Sequence, residues 1–497
     1  MGRLVYNTST NYTAKLNPFP YQMEAFNALK DLDYAAIFHE QGLGKTKIAI
    51  DLILYWLAKR NIDTVLVVTK KQLVKNWIDE FKIHTYILPQ ILSSNHGDNF
   101  YILNSRARVI ITNFETISSE KERIKLFLKT RNVAIVIDES TKLKNPKAKI
   151  TQDFFDLSPL FRIRVIMSGT PVANRPYDLW AQIYFLDFGK SLGTDFDKFK
   201  RMTDLNNRLS HNDDQKNVFE TSVSKIFYKI SKFTVRETKK SSGIILPKKI
   251  YKNTLVEFEQ SQEQMYDKVM KDMRIEIKKN GNSYYDDDQV ALKRLLRLLE
   301  IASNPALIDD QYKSETLKFK ELRKIINNVV NNNEKCIVWT NFIKNVDDFC
   351  RQFGQFYPAK VHGKMLIESR NKSIEQFKKD PNCKILFATP QAAKEGLTLT
   401  VANHVIFFDR GFNLDDYLQA QDRIHRISQK KNCFVYNLMI KDSIDVWIDK
   451  LLQAKQYAAF LAQGDISLSK YQAHMDYSYG DLVREILEVG NNDSVHE

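Results

Sequence analysis

A chain of 497 residues is too long for one ordinary hydrophobic core, so we expect two or three domains. Its apolar fraction of 43% and aromatic fraction of 11% are typical of globular proteins and exclude a disordered chain. The formal net charge of +14 favours contacts to phosphates and a polyanionic partner, although a lysine- and asparagine-rich genome would give the same excess.

The four cysteines lie far apart, in no C-x-x-C pair and in no cluster with histidine that has the spacing of a zinc site. We therefore expect no zinc and a reducing compartment. No apolar run approaches the roughly 18 residues of a membrane span, and the N-terminus lacks the apolar core of a signal peptide. We expect a soluble, intracellular protein that does not associate with membranes. It would be cytoplasmic if bacterial or phage, and in the nucleus or a virus factory if eukaryotic or viral.

Short, apolar, β-branched runs recur in both halves of the chain, and charged stretches of helical length separate most of them. In the first half the runs are Ala35–His39, Val65–Thr69, Val109–Asn113, Ala134–Glu139 and Arg164–Gly169. In the second half they are Lys335–Asn341, Ala359–Gly363, Lys384–Thr389, His404–Asp409 and Cys433–Met439. Strands that alternate with helices predict an α/β fold with buried parallel sheets, and two such series predict two similar lobes.

The sequence between the two series is polar and rich in Lys, Asp and Asn. It predicts helices over Gln262–Lys279 and Val290–Ser303, an exposed loop over Asn280–Asp288 and a linker over Lys239–Lys249. We therefore predict four parts. These are a first lobe over residues 1–190, helical insertions and an inter-lobe connection over 191–330, a second lobe over 331–460, and a short acidic tail over 461–497.

The stretch HEQGLGKTK, residues 39–47, follows the first predicted strand and precedes a helical pattern, which is the setting of a phosphate-binding loop. Its two glycines let the backbone turn tightly and point N–H groups into one concavity. The lysine would reach the β and γ phosphates of ATP, and the threonine hydroxyl would be a ligand of Mg²⁺. The strict pattern has glycine where this chain has His39, and a lone G-K-T also occurs in ordinary turns. The nucleotide site predicted from this loop is Gly42, Leu43, Gly44, Lys45 and Thr46.

The fourth run of the first half ends in VIDESTKLKN, residues 136–145, with two adjacent carboxylates at a strand end. Asp138 would hold Mg²⁺ through water, and Glu139 would orient and deprotonate the attacking water. The alternative is an ordinary Asp-Glu turn after a strand. After the next run, Ser168 and Thr170 of Ser-Gly-Thr-Pro either form a simple turn or hydrogen-bond these carboxylates and couple their state to other parts of the protein.

The stretch QAQDRIHRISQ, residues 419–429, carries two arginines three residues apart. On a helix, Arg423 and Arg426 would share one face, with Gln419 one turn before Arg423. Two arginines that project from a second lobe are what an arginine-finger mechanism needs, because they neutralise charge that develops on the γ-phosphate when the lobes close. The alternative is a solvated basic face of a helix.

In their order along the chain, these motifs resemble those of superfamily-two helicases, and more narrowly those of the Swi/Snf family of DNA-dependent ATPases. Further segments that resemble the family are VLVVTKKQLVKNWIDEF (65–81), RVIITNFETIS (108–118), VWTNF (338–342) and EGLTLTVANHVIFFDRGFN (395–413). The narrower resemblance depends on the forms D-E-x-x-x-L-K-N, N-W-x-x-E-F and Q-A-x-D-R-x-H-R-x-x-Q, and it covers about residues 16–460.

The resemblance implies two RecA-like lobes with helical insertions between them, and ATP-driven movement along duplex DNA without processive unwinding. It assigns Gln22 to the reading of adenine and Gly396 to the coupling of DNA contacts to the arginines. The ATPase residues that it implies are Lys45, Thr46, Asp138, Glu139, Arg423 and Arg426. The chain departs from the family at His39, where an acidic residue is usual, and at Ser140 and Thr141, which replace Ala and His of D-E-A-H. The resemblance therefore defines the residues of ATP hydrolysis better than the residues that couple the two lobes.

Polar residues at or just after the strand ends are candidates for nucleic-acid contacts, because parallel sheets bind ligands at this edge. They are Lys70, Lys71, Thr112, Asn113, Lys142, Lys144 and Thr389. Each lysine is also compatible with a solvated surface charge. Duplex DNA is the expected partner, together with a protein partner that supplies target specificity. The alternatives are an RNA or single-strand DNA helicase, and an ATP-gated assembly subunit with little turnover.

Overall fold

The computed structural model describes residues 11–243, 246–280, 288–392, 398–426 and 428–480. The strands in these ranges are β1 (Tyr34–Ile37), β2 (Thr64–Thr69), β3 (Gln90–Ile91), β4 (Val109–Asn113), β5 (Val133–Asp138), β6 (Ile163–Met167), β7 (Thr234–Val235), β8 (Lys249–Val256), β9 (Cys336–Trp339), β10 (Ala359–Val361), β11 (Ile385–Ala388), β12 (His404–Phe407) and β13 (Cys433–Ile440). Each of the ten predicted runs overlaps one of these strands, and their ends differ by at most two residues.

The helices lie between and after the strands. They are α1 (Pro20–Leu29), α2 (Lys45–Lys59), α3 (Val74–His84), α4 (His96–Asn104), α5 (Phe114–Ser119), α6 (Lys121–Thr130), α7 (Lys149–Leu157), α8 (Asp178–Asp187), α9 (Phe196–Thr203), α10 (Asp213–Ser224), α11 (Ile226–Ile230), α12 (Gln260–Asn280), α13 (Asp288–Ser303), α14 (Leu317–Asn331), α15 (Ile343–Gln352), α16 (Ile367–Lys379), α17 (Leu414–Gln421), α18 (Ile444–Ala462) and α19 (Leu468–His474). Among the residues that the structure describes, no helix is both long and apolar enough to cross a bilayer.

The chain divides into two compact units, and each contains one sheet. The first unit consists of the residues up to Asp204, with Thr221–Ile244 and Ala462–Asp465. Its seven parallel strands have the order β3-β4-β2-β5-β6-β1-β7. Carboxyl ends of parallel strands share one edge of a sheet, so the loops that follow β1, β6 and β5 are neighbours there. The buried faces are rich in Val, Ile and Ala, as expected for strands covered on both sides.

The second unit consists of Leu205–Glu220, Ile245–Leu461 and the residues from Ile466 onward. Its six parallel strands have the order β10-β11-β9-β12-β13-β8. Two parallel sheets covered by many helices confirm the predicted α/β fold class. The four-part division of the chain by residue number stays a prediction.

The middle of the chain contains two strands that the sequence did not predict. The two-residue strand β7 adds to the edge beside β1, and the eight-residue strand β8 pairs in parallel with β13. The predicted linker therefore runs into a strand at its last residue, Lys249. Strand β8 lies at the edge of its sheet and is half exposed and polar, so it lacks the apolar run that marks the central strands.

Helical structure continues beyond residue 461, where the predicted acidic tail begins. Helix α18 extends to Ala462, α19 follows, and the rings of Tyr471 and Tyr479 are buried. Residues 481–497 lie outside the described part of the chain, as do residues 281–287 of the predicted exposed loop.

A buried ion pair in the second unit gives a test of its core. Lys318 Nζ donates to Asp445 Oδ2 over 2.7 Å, and the two side chains are 0% and 3% exposed. We predict that Lys318→Met lowers the free energy of unfolding by about 3–5 kcal/mol, because it leaves a buried carboxylate without its counter-charge. Chemical denaturation measures this. The double variant Lys318→Met/Asp445→Asn should recover part of the loss, and a single variant as stable as the native chain would contradict the prediction.

Candidate functional site

The predicted phosphate loop joins the carboxyl end of β1 to the first turn of α2. Gly42 and Gly44 have positive φ angles of 87° and 68°, which glycine adopts without steric strain. Gly44 is the N-cap of α2 and makes no side-chain capping bond. The N-terminus of α2 therefore has the polarity that suits a phosphate group.

Gln22 on α1 braces this loop. Its Nε2 donates to the carbonyl oxygen of Leu43 over 3.2 Å, its Oε1 accepts from the N–H of Phe19, and the Tyr21 hydroxyl donates to the same Leu43 carbonyl. A Cβ atom at Gly44 would lie 2.3 Å from Gln22 Nε2, so a side chain there would displace the Gln22 amide, and the positive φ angle favours glycine as well. The adenine-reading role of Gln22 stays a prediction.

Lys45 is the basic group of the loop. Its Nζ donates to the carbonyl oxygens of His39 and Glu40, over 3.0 and 3.2 Å. These bonds hold the ammonium group over the loop. His39 itself is buried, and burial, with Lys45 nearby, lowers the pKa of His39 to about 3. The imidazole is therefore neutral at pH 7 and adds no charge where the family usually has an acidic residue.

The loop that follows β6 passes directly against the phosphate loop. A Cβ atom at Gly169 would lie 2.4 Å from Gln41 Cγ and 3.2 Å from Lys45 Nζ. The Ser168 oxygen accepts from the N–H of Thr170 over 3.1 Å, which is the bond of a simple turn. The predicted coupling roles of Ser168 and Thr170 stay predictions.

Asp138, at the end of β5, has several hydrogen-bond donors around it. Oδ2 accepts from the Trp77 indole N–H over 2.8 Å and from the Thr69 hydroxyl over 3.4 Å, and Oδ1 accepts from the N–H of Glu139 over 2.9 Å. Burial and the adjacent Glu139 carboxylate raise the pKa of Asp138 to about 6, and the indole bond and Lys45 oppose this shift. Trp77 lies in the N-W-x-x-E-F form, but its spacing there does not predict a bond to Asp138.

Glu139 is held in an unusual backbone conformation. Its φ and ψ angles of 54° and 48° lie in the left-handed region, which costs a residue other than glycine about 1–2 kcal/mol. This turn directs the chain away from the strand and into a short helical turn. The Lys70 ammonium group lies 3.5 Å from Glu139 Oε2, close to the predicted general base. Its nucleic-acid contact stays a prediction.

A link between the carboxylate segment and the Ser-Gly-Thr-Pro loop passes through Gln182 of α8. The buried Ser140 hydroxyl donates to Gln182 Oε1 over 2.7 Å, and Gln182 Nε2 donates to the carbonyl oxygen of Pro171 over 2.8 Å. Ser140, which replaces the usual Ala, thus has a defined partner. No sequence pattern indicated Gln182, because its role depends on how α8 packs against the sheet.

The remaining predicted nucleic-acid residues of the first unit have mixed surroundings. Thr112 is buried and its hydroxyl donates to the Leu92 carbonyl, while Asn113 is the N-cap of α5. Lys142 lies 3.3 Å from Glu115, and Lys71 is exposed. The lysines are therefore placed better for phosphate contacts than Thr112 is. Lys144 lies 3.9 Å from Asp178.

The predicted placement of the two arginines of the second unit on one helical face is wrong. Helix α17 ends at Gln421, so Arg423 and Arg426 both follow it in non-helical backbone. The Arg423 carbonyl accepts from the N–H of Leu399 instead of continuing a helix, and Gln429 Nε2 donates to the carbonyls of Thr400, Ala402 and Ile424. These tertiary bonds end the helix, and a local pattern does not show them.

Each arginine is nevertheless held in a defined position. Arg423 is 2% exposed, and its Nη2 lies 3.5 Å from Gln419 Oε1, with Gln419 Nε2 bonded to Asp415. Arg426 Nη1 donates to the Thr398 hydroxyl over 2.7 Å. Thr389 is buried, and Gly396 lies outside the described residues.

The residues at the carboxyl edge of the first sheet suit Mg²⁺ and a triphosphate. Mg²⁺ is usually held by one or two protein oxygens together with phosphate oxygens and waters, so the predicted ligands Asp138 and Thr46 would be enough. The part of the chain that the structure describes contains no group of three or more His, Cys, Asp or Glu side chains that could hold a metal ion. Magnesium that is bound mainly through a nucleotide does not need such a group.

Comparison with known proteins gives two family matches. Residues 21–307, more than half of the chain, match the SNF2-related domain, and residues 317–428 match the helicase conserved C-terminal domain. An uncharacterized ATP-dependent helicase of Mycoplasma genitalium is 27% identical over 88% of this chain and 41% of its own length. A SWI/SNF-related matrix-associated actin-dependent regulator of chromatin, subfamily A member 1, from Homo sapiens is 27% identical over 82% of this chain and 39% of its own.

The chain spans about two fifths of the length of these two relatives. Among solved structures, the SWI2/SNF2 ATPase core of Sulfolobus solfataricus in complex with double-stranded DNA is 23% identical, with a TM-score of 0.42. The alignment covers 96% of this chain and 98% of that one.

The raised pKa of Asp138 indicates that its ionised carboxylate lowers the stability of the folded protein when no ligand is bound. With a pKa of about 6 in the folded state against 3.8, the folded protein binds this proton more tightly than the unfolded chain does. Stability without ligand should therefore rise as pH falls from above 6 towards 4. We predict that Asp138→Asn raises the melting temperature at pH 7.5 by a few degrees when nucleotide and Mg²⁺ are absent.

Thermal unfolding of both proteins across pH 4.5–8 measures this effect. The gain from Asp138→Asn should shrink as pH falls through 6, because the native carboxyl is then protonated as well. Glu115→Gln, a change at an exposed carboxylate, is the control. A variant that is less stable than the native chain at every pH would contradict the prediction.

Proposed function

Because the chain belongs to the SNF2-related family and also carries the helicase conserved C-terminal domain, we propose that it is an ATP-driven translocase on double-stranded DNA that remodels what is bound there. The observation that carries the proposal is the meeting of three groups at one sheet edge. Lys45 follows β1, the carboxylates Asp138 and Glu139 follow β5, and Lys45 is close enough to Asp138 to oppose the rise in its pKa.

The chemistry would proceed at this edge. Bound ATP with Mg²⁺ supplies the phosphoryl group to be transferred and a cation that neutralises charge on its oxygens. Lys45 would leave the carbonyls of His39 and Glu40 and donate to phosphate oxygens instead. Asp138 and the Thr46 hydroxyl would hold the Mg²⁺ ion. Glu139 would accept a proton from the attacking water at a carboxylate oxygen. The ammonium group of Lys70 lies 3.5 Å from Glu139 Oε2.

Arg423 and Arg426 of the second unit would stabilise the charge that develops during transfer. Arg423 is buried beside Gln419, and Arg426 is held by the Thr398 hydroxyl, so both side chains are ordered without a helix to carry them. Pre-organised donors cost little reorganisation at the moment of reaction, which is what makes an arginine effective in this role.

Duplex DNA as the partner is supported by the net charge of +14 and by the family. Lys71, Lys142 and Lys144 lie at or beyond the strand ends of the first sheet, where contacts to backbone phosphates would read no sequence. A regulator of chromatin among the relatives supports a remodelling role. A separate protein partner would supply the specificity for a particular target.

Lys45→Ala is the direct test of the nucleotide site. We predict that it abolishes ATP hydrolysis and leaves the melting temperature without ligand within a few degrees of the native value, because the side chain contacts loop carbonyls and no core. Steady-state phosphate release measures the activity. Lys59→Ala, at the exposed end of the same helix, is the matched control and should be fully active. Hydrolysis by the Lys45 variant at the native rate would contradict the proposal.

Arg426→Ala tests the role of the second unit. We predict native binding of a fluorescent ATP analogue, since the binding loop belongs to the first unit, and a loss of DNA-stimulated hydrolysis on the order of 10³-fold. Arg351→Ala changes an exposed arginine of the same unit and should leave stimulated turnover unchanged. Normal stimulated turnover in Arg426→Ala would remove the arginine-finger mechanism even if Lys45 proved essential.

A further inference from the structure

The indole of Trp77 contacts the predicted magnesium ligand Asp138 from inside the core of the first unit. Its Nε1–H donates to Asp138 Oδ2 over 2.8 Å, and Trp77 is only 1% exposed. Trp77 lies near the start of α3, four residues before the buried Phe81, so both rings are on the face of the helix that packs into the core. An indole has a single N–H donor, so the bond to Asp138 uses all of it.

The donors around Asp138 engage its two oxygens unequally. A carboxylate offers about four lone-pair sites on its two oxygens. Oδ2 accepts from Trp77 and, over a longer 3.4 Å, from the hydroxyl of Thr69. Oδ1 accepts from the backbone N–H of Glu139 over 2.9 Å. Side chains at the end of β2 and on α3 therefore hold Oδ2, and the free acceptor capacity of Asp138 is on Oδ1.

The same bonds fix the plane of the carboxylate. The terminal torsion of an aspartate is soft, so an unbonded carboxylate turns easily between its two oxygens. Here one oxygen is bonded to Trp77 and the other to the backbone of Glu139. Trp77 belongs to the buried cluster that also contains the inward side chains of β2 and β5. The indole therefore cannot follow a turning carboxylate without disturbing that packing.

Magnesium and calcium make different demands on a carboxylate ligand. Mg²⁺ requires near-octahedral geometry and keeps several of its waters, whereas Ca²⁺ takes roughly six to eight oxygens and often both oxygens of one carboxylate. A carboxylate whose second oxygen is held by protein donors offers only one oxygen, either directly or through water. This arrangement suits Mg²⁺ and denies Ca²⁺ a bidentate ligand.

We propose that Trp77 is a positioning residue for Asp138 and that, by holding Oδ2, it makes the nucleotide site select Mg²⁺ over Ca²⁺. Trp77 would act through the carboxylate and not by contact with the metal. This inference rests on the proposed ATPase function, in which Asp138 and the Thr46 hydroxyl hold the Mg²⁺ ion.

Trp77→Phe tests the proposal, because it keeps an aromatic ring in the core and removes the N–H donor. Binding of a fluorescent ATP analogue to the full chain is titrated with Mg²⁺ alone, with Ca²⁺ alone and in EDTA. The Mg²⁺ concentration for half-maximal binding should rise on the order of tenfold, the scale for losing a bond that orients a metal ligand. The Ca²⁺ concentration should rise by less than about twofold or fall, because the released oxygen permits bidentate binding. General damage to the site would weaken both alike.

Trp56→Phe is the matched control. Trp56 is fully buried in the same cluster, and its indole N–H donates to the carbonyl oxygen of Lys30 over 3.2 Å. This variant loses the same ring volume and the same kind of donor, so it should keep the native ratio of Mg²⁺ to Ca²⁺ affinity. A native ratio in Trp77→Phe, or an equal change of the ratio in both variants, would overturn the proposal.

A second measurement needs no variant at position 77. The native chain has five tryptophans, and nitrogen-15 labelling makes their indole N–H signals visible by NMR. Trp56, Trp180 and Trp447 donate to backbone carbonyl oxygens, so the carboxylate-bonded indole of Trp77 should give a distinct signal. Phe substitutions at the other tryptophans assign that signal by elimination.

The signal of Trp77 should keep its position when Mg²⁺ and a non-hydrolysable ATP analogue bind, because Mg²⁺ leaves Oδ2 bonded to the indole. Movement of the signal into the range of the other indoles would show that the metal displaces Trp77 from the carboxylate. That result would overturn the proposal even if Trp77→Phe did not fold.

The outcomes separate this inference from the proposed function. If Lys45→Ala is inactive and the native chain needs Mg²⁺ to bind nucleotide tightly, a native metal ratio in Trp77→Phe removes the positioning role and leaves the proposed function standing. If the native chain hydrolyses no ATP with or without DNA, the proposed function fails first.

Discussion

Asp138 and Glu139 place two carboxylates side by side at the end of a strand, where neither is fully surrounded by water. The first unit partly compensates this repulsion, through the indole of Trp77, the N–H of Glu139 and the ammonium group of Lys45. The compensation is incomplete, because the pKa of Asp138 is still raised. Uncompensated negative charge beside the N-terminus of α2 is an arrangement that a divalent cation with a phosphate chain relieves. Affinity for the ligand and the cost of this charge to the folded state thus have one physical origin.

The other features of the site keep this arrangement from relaxing. The left-handed turn at Glu139 prevents the carboxylates from following the strand direction, and Ser140 fixes that turn to Gln182. Gln182 also bonds the Pro171 carbonyl, so the loop after β6, which lies between the two halves of the site, is bound to the carboxylate segment. On the other side, β7 pairs with β1, the strand that precedes the phosphate loop. Neighbouring strand ends and one helix thus share hydrogen bonds around the site.

Much of the fold could be predicted from the sequence, and so could the position of the phosphate loop and of the two carboxylates at one sheet edge. Central strands such as β2 and β5 are buried on both faces, so their apolar β-branched runs stand out, and residues that follow them must lie at one edge. The edge strands β7 and β8 escaped notice, because one is two residues long and the other is half polar. Trp77 and Gln182 were missed as site residues because their roles depend on packing. The predicted helical backbone around Arg423 is wrong, because bonds to distant carbonyls and to Gln429 decide where α17 ends, and local spacing does not show them.

ATP hydrolysis that depends on duplex DNA is the central claim of this account. Turnover of the native chain should be measured at saturating ATP and Mg²⁺ without nucleic acid, and with equal phosphate concentrations of duplex DNA, single-stranded DNA and RNA. We predict slow turnover alone and strong stimulation by duplex DNA, which fades as salt rises because the contacts are to phosphates. Stimulation that is greatest with single-stranded DNA or RNA would contradict a duplex translocase and favour a strand-separating helicase. ATP binding without stimulated turnover on any nucleic acid would contradict the account altogether and favour an ATP-gated assembly subunit.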